Sequence, residues 1–263
     1  MCNLYHMTPQ GEAERYLGRI GVDLEAYTAT TVGPYQAGLF VRPEKTPDTT
    51  RLVGRLGQWG MIQPGAESRR PAARAILTNN ARIEDIRQRI TYRGAWRKAQ
   101  RCLILAAWYQ EPNWETGKNI WWQMKRADGQ PWALAGLWSE WTDPHTGELV
   151  ANYTMITCNC DGHSLLARLH KPDPTLPPDK QDKRAVAHIN RADWDTWLHG
   201  TEAEAAALIR PTPAEQFDLG DAQRTDALLR EQAARREQVA AARQRPIVTD
   251  RKAEPPDAQG SLF

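Results

Sequence analysis

Residues 102 to 157 constrain the fold most, because four strand-type segments follow one another there with short connections. Cys102–Tyr109, Asn119–Lys125, Trp132–Trp138 and Ala151–Thr157 are rich in aromatic and other apolar residues that suit a pleated surface. Asp128-Gly129 supplies a hairpin turn between the second and third segments. A longer turn from Asp143 to Gly147 precedes the fourth. Gly38–Arg42 and Leu52–Ile62 also read as strands. The expected class is α+β and β-rich: a single domain of curved antiparallel sheets with a barrel-like core and flanking helices.

Helical signals surround this core. Thr8-Pro9 looks like a helix start, with Thr8 as the cap and Pro9 at the first helical position, and the helix runs to about Gly18. Ile83, Ile86 and Ile90 follow Asn79-Asn80 at helical spacing, which predicts a helix with Asn80 at its start. Asn190–Gly200 places Trp194, Trp197 and Leu198 on one helical face, and Thr201 with Glu204 forms a capping box for the next helix. Pro64–Arg74 reads as an exposed loop. So does Lys171–Lys183, which contains four prolines and has the character of an insertion. Asp221–Arg245 is rich in Ala, Arg, Gln and Glu, which predicts a largely exposed helix. Pro246–Gly260 is polar and proline-bearing, the composition of a disordered segment. The expected organisation is a catalytic domain over 2–210, an appended helical segment over 211–245 and a flexible tail over 246–263.

At 263 residues, with 41 % hydrophobic and 25 % charged residues, the chain has ample material for a core. No apolar run approaches the roughly 20 residues that span a bilayer, and no signal-peptide pattern opens the chain. A cytoplasmic, nucleoid-associated protein without a membrane is expected. Cys2, Cys102, Cys158 and Cys160 then read as thiols rather than disulfides. One residue separates Cys158 from Cys160, short of the usual zinc-ligand spacing, so neither metal nor cofactor is expected. Net charge is +2, yet it is uneven. Ten basic residues (Arg69, Arg70, Arg74, Arg82, Arg87, Arg89, Arg93, Arg97, Lys98, Arg101) face only Glu84 and Asp85 between positions 69 and 101, a local excess of +8. Such a segment suits a polyanion. The chain also holds eleven tryptophans, and exposed aromatics beside basic side chains stack single-stranded bases.

Cys2 carries the most suggestive chemistry. Methionine before a small residue is readily removed, and a terminal cysteine joins an α-amine of pKa about 7.7–8.0 to a thiol near about 8.5. This aminothiol can attack an aldehyde twice, giving an imine and then a thiazolidine. It can also attack an amide carbon, with the amine as its base. Asn80 is either a helix cap or an amide that binds a substrate hydroxyl or phosphate. Glu111, at the end of a strand before Pro112, is either solvated or a general acid/base. His170, where regular structure stops at Lys171-Pro172, is either structural or a proton shuttle.

In order, these residues resemble the SOS response-associated peptidase (SRAP) family. The shared features are a Met-Cys start, Asn-Ala-Arg-x-Glu from Asn80, and Arg-Cys-Leu from Arg101 leading to Tyr109-x-Glu111. Ile156-Thr157 then precedes His170 at the family's spacing. The resemblance spans roughly residues 2–200. It implies processing of abasic sites, by capture of the ring-opened aldehyde in single-stranded DNA as a covalent thiazolidine on mature Cys2. Activity of a peptidase-like or lyase-like kind comes with it, including removal of Met1. It implies that Asn80 holds the opened sugar or a phosphate, that Glu111 handles protons, and that His170 assists at the sugar hydroxyl and in crosslink reversal. DNA contacts would come from Arg82, Trp59, Arg69, Arg70, Arg74 and Thr157. Leu4 stands where the family usually has an arginine.

Gln259 to Phe263 resembles the peptide by which bacterial replication and repair proteins dock on the sliding clamp, with Leu262 and Phe263 filling a pocket and Gln259 at its rim. The chain is expected to act as a monomer. Two other readings stay open. One is an N-terminal-nucleophile amidohydrolase using the same Cys2. The other is a non-catalytic DNA-binding, clamp-associated protein.

Overall fold

The computed structural model describes residues 2–18, 22–46, 49–71 and 77–244. Strands β1 (Tyr5–Met7), β2 (Asp23–Leu24), β3 (Thr31–Val32), β4 (Ala37–Lys45) and β5 (Thr50–Trp59) precede β6 (Asn80–Arg82). Strands β7 (Arg101–Asn113), β8 (Ile120–Met124), β9 (Trp132–Thr142), β10 (Leu149–Asn159) and β11 (Arg184–Val186) complete the sheet. The helices are α1 (Gln10–Leu17), α2 (Ile90–Arg97), α3 (Trp194–His199), α4 (Glu202–Leu208) and α5 (Gly220–Gln244).

Five strands close into a barrel-like ring. β4 pairs with β5 and β7, β7 with β9, β9 with β10, and β10 returns to β5. Four of these links are antiparallel; β10 with β5 is parallel, through Asn152↔Gln58 and Tyr153↔Trp59. The period-2 alternation of strand side chains explains the apolar run in β7. Cys102, Ile104 and Ala106 join a cluster with Tyr5, Phe40, Trp59 and Tyr153. Leu103 and Leu105 face a second cluster containing Leu17, Trp96 and Trp197, supplied by α1, α2 and α3. Both faces of the strand are covered, so it cannot show a polar side. Gly136 stands where β9 and β10 approach closely: a Cβ there would stand 2.8 Å from the Thr154 carbonyl oxygen, too close for any larger residue.

Three local expectations are corrected. Pro9, not Thr8, occupies the cap position of α1, and no side chain caps it. Thr8 is fully buried instead, and its N–H donates to the Leu105 carbonyl at 3.2 Å, tying the helix entry to β7. Asn80–Arg82 is a strand rather than a helix start. β6 runs parallel to β10 in the register Met155↔Asn80 to Thr157↔Arg82, flanked by bonds from Met155 N–H to Asn79 O and from Ile83 N–H to Thr157 O, both 3.0 Å. Those pairings outweigh the local isoleucine periodicity. Turns follow, helix begins only at Ile90, and Ile90 is itself exposed. Finally, β7 extends past Tyr109 to Asn113, which puts Glu111 inside a strand instead of at its end.

The capping box of Thr201 and Glu204 is present in full. The 171–183 segment is exposed up to its last residues, and the Gln181 amide stitches it through the carbonyls of Asp173, Leu176 and Pro177. The start of α5 is fastened to the body. Phe217 lies in the core, Trp122 Nε1 donates to Thr225 Oγ1 at 2.9 Å, and Gln123 N–H donates to Asp221 Oδ2 at 2.7 Å. Among the described residues no helix is long and apolar enough to cross a membrane.

Candidate active site around Cys2

β1 carries Cys2 to its position. It runs antiparallel to β7 with Tyr5 opposite Tyr109, and Gln110 N–H donates to Leu4 O at 3.0 Å. Residues just before Tyr5 therefore lie along the part of β7 just beyond Tyr109, where Glu111 sits. Cys2 is fully buried. Its carbonyl accepts from the side-chain amides of Asn80 at 2.7 Å and Asn79 at 3.1 Å, and its thiol donates to Leu4 O at 3.5 Å. Asn79 also reaches Asn3 Oδ1 at 3.1 Å. The asparagine pair is held in turn: Asn79 O accepts from Trp59 Nε1 at 2.8 Å, and Asn80 O from the Tyr92 hydroxyl at 3.2 Å. Among the described residues the buried Oδ1 atoms of Asn79 and Asn80 have no hydrogen-bond donor, and each can accept from an incoming one.

Glu111 is 2 % exposed, and burial pushes its carboxyl up to about 7. Burial also pushes the Cys2 thiol well above its ordinary value, and the charge of Glu111 adds to that rise. His170 Nε2 lies 3.6 Å from Glu111 Oε2 and 3.0 Å from the Arg184 carbonyl oxygen. A carbonyl only accepts, so Nε2 carries the proton and Nδ1 is the basic nitrogen. Burial lowers this imidazole to about 4, leaving it neutral at pH 7. His170 has a left-handed backbone (φ 62), uncommon for a residue with a Cβ. Its N–H donates to Pro112 O at 2.6 Å, and its carbonyl accepts from Lys183 Nζ at 2.6 Å. A carboxyl that titrates near neutrality, beside a neutral imidazole and a thiol, is a constellation able to exchange protons with a substrate.

The residues expected to meet DNA are placed differently. Trp59 is corrected: its ring is fully buried, edge-on to Tyr5 at 5.1 Å, and has no surface on which a base could stack. Thr157 is corrected likewise. It is fully buried with its hydroxyl donating to Ala81 O at 3.4 Å, because β10 is covered at that point by β6 and β11. Arg82 is exposed and pairs with Asp182 at 2.8 Å. Arg69 pairs with Glu148, and the Arg70 guanidinium stands 5.4 Å from the centre of the Tyr35 ring. Arg74, Gln259, Leu262 and Phe263 lie outside the described residues. The basic segment is not one continuous face either. Arg101 is wholly buried, bonded to the carbonyls of Trp197 and Gly200, while Arg87 and Arg89 pair with Glu202 and Asp85.

Sequence reasoning passed over three residues of the site: Asn79, Lys183 and Arg184. The Asn79-Asn80 doublet was a usable signal for the first. Arg184 acts through its backbone carbonyl on His170, while its guanidinium holds Glu84 at 2.6 Å and Thr157 O at 3.2 Å. No local pattern announces such a role.

A closed β-barrel that buries a cysteine at position 2 against two asparagine amides, a near-neutral carboxyl and an imidazole defines a cysteine-centred site on a mixed α+β scaffold. The family model for SOS response associated peptidase (SRAP) matches residues 1–225, and the chain belongs to that family. It is 25 % identical over 150 residues to the abasic site processing protein HMCES of Xenopus tropicalis, covering 51 % of this chain and 44 % of that protein. The chain thus spans less than half the length of that relative. A solved protein of Bordetella bronchiseptica is similar at TM-score 0.70 and 30 % identity, over 82 % of this chain and 97 % of its own. A protein of Bacteroides thetaiotaomicron shares the fold at TM-score 0.62 and 21 % identity, over 81 % of this chain and 90 % of its own.

Proposed function

We propose that this protein processes abasic sites in single-stranded DNA by forming a covalent thiazolidine on Cys2 after loss of Met1. The observation that carries the reading is a buried Cys2 whose carbonyl is clasped by Asn79 and Asn80 and whose thiol feels the charge of Glu111, the carboxyl that His170 approaches to 3.6 Å. The family membership and the likeness to an abasic site processing protein support it.

In this reading an abasic sugar opens to its aldehyde, and the Cys2 amine adds to the aldehyde carbon. The resulting carbinolamine loses its hydroxyl as water to give an imine. The thiol then gives up its proton and adds to the imine carbon, and the nitrogen takes a proton to complete the five-membered ring. Glu111 suits both directions of proton traffic, since a carboxyl titrating near 7 is close to half protonated at neutral pH. It can donate to the departing hydroxyl and accept from the thiol, which at its raised pKa needs a base. His170, neutral with Nδ1 basic, would take a proton from the sugar hydroxyl. Asn79 and Asn80 fix the Cys2 carbonyl and so orient both nucleophiles. Removal of Met1 by a peptidase-like step at the same site is part of the proposal, as is docking of Gln259, Leu262 and Phe263 on a sliding clamp.

The test is incubation of the mature protein with a single-stranded oligonucleotide carrying one abasic site, followed by a denaturing gel. A heat-resistant adduct that disappears in Cys2→Ala is expected. No adduct from the wild type, or an undiminished adduct from Cys2→Ala, would sink the mechanism.

A further inference from the structure

The 171–183 segment separates His170 from Arg184, and its last residue turns back onto the histidine. Lys183 is 7 % exposed. Its Nζ donates to two successive carbonyls, Leu169 O at 2.7 Å and His170 O at 2.6 Å. Its own backbone is pinned on both sides: the N–H donates to Asp161 Oδ1 at 2.7 Å, and the carbonyl accepts from Cys160 N–H at 2.8 Å. An ammonium withdrawn from water is costly; its two carbonyl acceptors are uncharged, and the carboxylates of Asp161 and Glu115 supply nearby opposite charge.

We infer that Lys183 is a positioning residue, which locks the left-handed backbone of His170 so that its imidazole stays against Glu111. The histidine is held on several sides. Pro112 O takes its N–H at 2.6 Å, Lys183 takes its carbonyl, Arg184 O takes its Nε2 proton at 3.0 Å, and Glu111 stands 3.6 Å from that same nitrogen. The adjacent Leu169 is bridged to Asn113, so Lys183 also fastens the chain to the far end of β7, two residues from Glu111. Lys183 holds the carbonyl of His170, while Pro112 holds its amide on the side of the uncommon φ of 62°. Without Lys183 the Leu169–Lys171 backbone can relax toward a right-handed or extended state, which swings the imidazole away from both Arg184 O and Glu111. The inserted segment thus contributes to the site through its closing residue.

The activity part of the test rests on the proposed thiazolidine chemistry; the spectroscopic part does not. In full-length Lys183→Met, which keeps the side chain's length but not its donors, the His170 imidazole is followed by NMR against pH. Its titration should move from about 4 toward the ordinary 6.5, because a nearby positive charge is gone and the packing around the ring loosens. An unchanged titration would overturn the inference. Adduct formation is then compared in wild type, Lys183→Met, His170→Ala and the double variant. Lys183→Met should be slower on the order of 10-fold, and the double variant no slower than His170→Ala alone, as for two residues acting through one group. Multiplied losses would mean that Lys183 acts on DNA itself and would refute positioning. Lys183→Arg, which keeps the donors, should recover most of the rate. If Lys183→Met does not fold, Lys183→Leu, which also lacks donors, takes its place with the same expected directions. If wild type forms no adduct, the chemistry fails and the NMR titration alone decides the positioning.

Discussion

Glu111→Gln separates what this buried carboxyl costs the fold from what it does in the site. Its pKa rises from 4.5 to about 7 because it is almost wholly shielded from water. Between those values the folded state holds a proton that the unfolded state has released. Stability therefore falls as pH rises through this window and levels off above about 7. At about 1.4 kcal/mol per pH unit, the window corresponds to about 3 kcal/mol. The amide is neutral throughout, so urea titrations from pH 4 to 8.5 should show the variant gaining on the wild type by about 3 kcal/mol, with the whole gain between roughly 4.5 and 7. His170 is neutral over most of that range and common to both proteins, so it largely cancels in the difference. Adduct formation should move the other way, dropping by about 10²–10⁴ with loss of the inflection near pH 7. Parallel stability–pH curves for the two proteins would refute the buried-carboxyl argument. An inflection near 7 that survives in the variant would refute the assignment of that proton to Glu111.

Asn80→Ala removes the 2.7 Å bond to the Cys2 carbonyl and should lower stability by about 1–3 kcal/mol in urea melts, with slower adduct formation. Trp59→Ala should cost about 3–5 kcal/mol, as expected of a core residue, whereas Trp59→Phe should leave DNA affinity in gel-shift assays unchanged. A large affinity loss in the folded Phe variant would restore Trp59 as a DNA contact. Deleting Leu262 and Phe263 should abolish binding to an immobilised sliding clamp while leaving the adduct yield intact. Equal clamp affinity of the truncated chain would refute the docking peptide.

Much of the β-rich body was legible in the sequence because its strands carry local signatures. The apolar run from Cys102 and the turns at Asp128-Gly129 and Asp143 to Gly147 delimit β7, β8, β9 and β10 to within a few residues. Thr201 and Glu204 announce their helix for the same reason: a capping box is complete within four residues. Asn80–Arg82 shows where local reading fails. Its isoleucine spacing is helical, yet the vacant edge of β10, more than 70 residues away in sequence, satisfies its backbone as a strand. The tryptophans and arginines fail similarly. Residue type suggested exposure for Trp59 and Arg101, whereas the barrel interior buries Trp59 and α3 packs over Arg101.

The four polar positions Cys2, Asn80, Glu111 and His170 stand out by type, order and spacing, and the amino-acid chain alone names them as candidates. Their chemical state belongs to the tertiary structure. Closure of β7 against β1 and β8 removes water from Glu111 and lifts it to about 7, while β6 on β10 brings two amides to the Cys2 carbonyl. Lys183 reaches back across the inserted segment to hold His170. Charge and reactivity depend on desolvation and on partners distant in sequence, and only the folded chain brings these together.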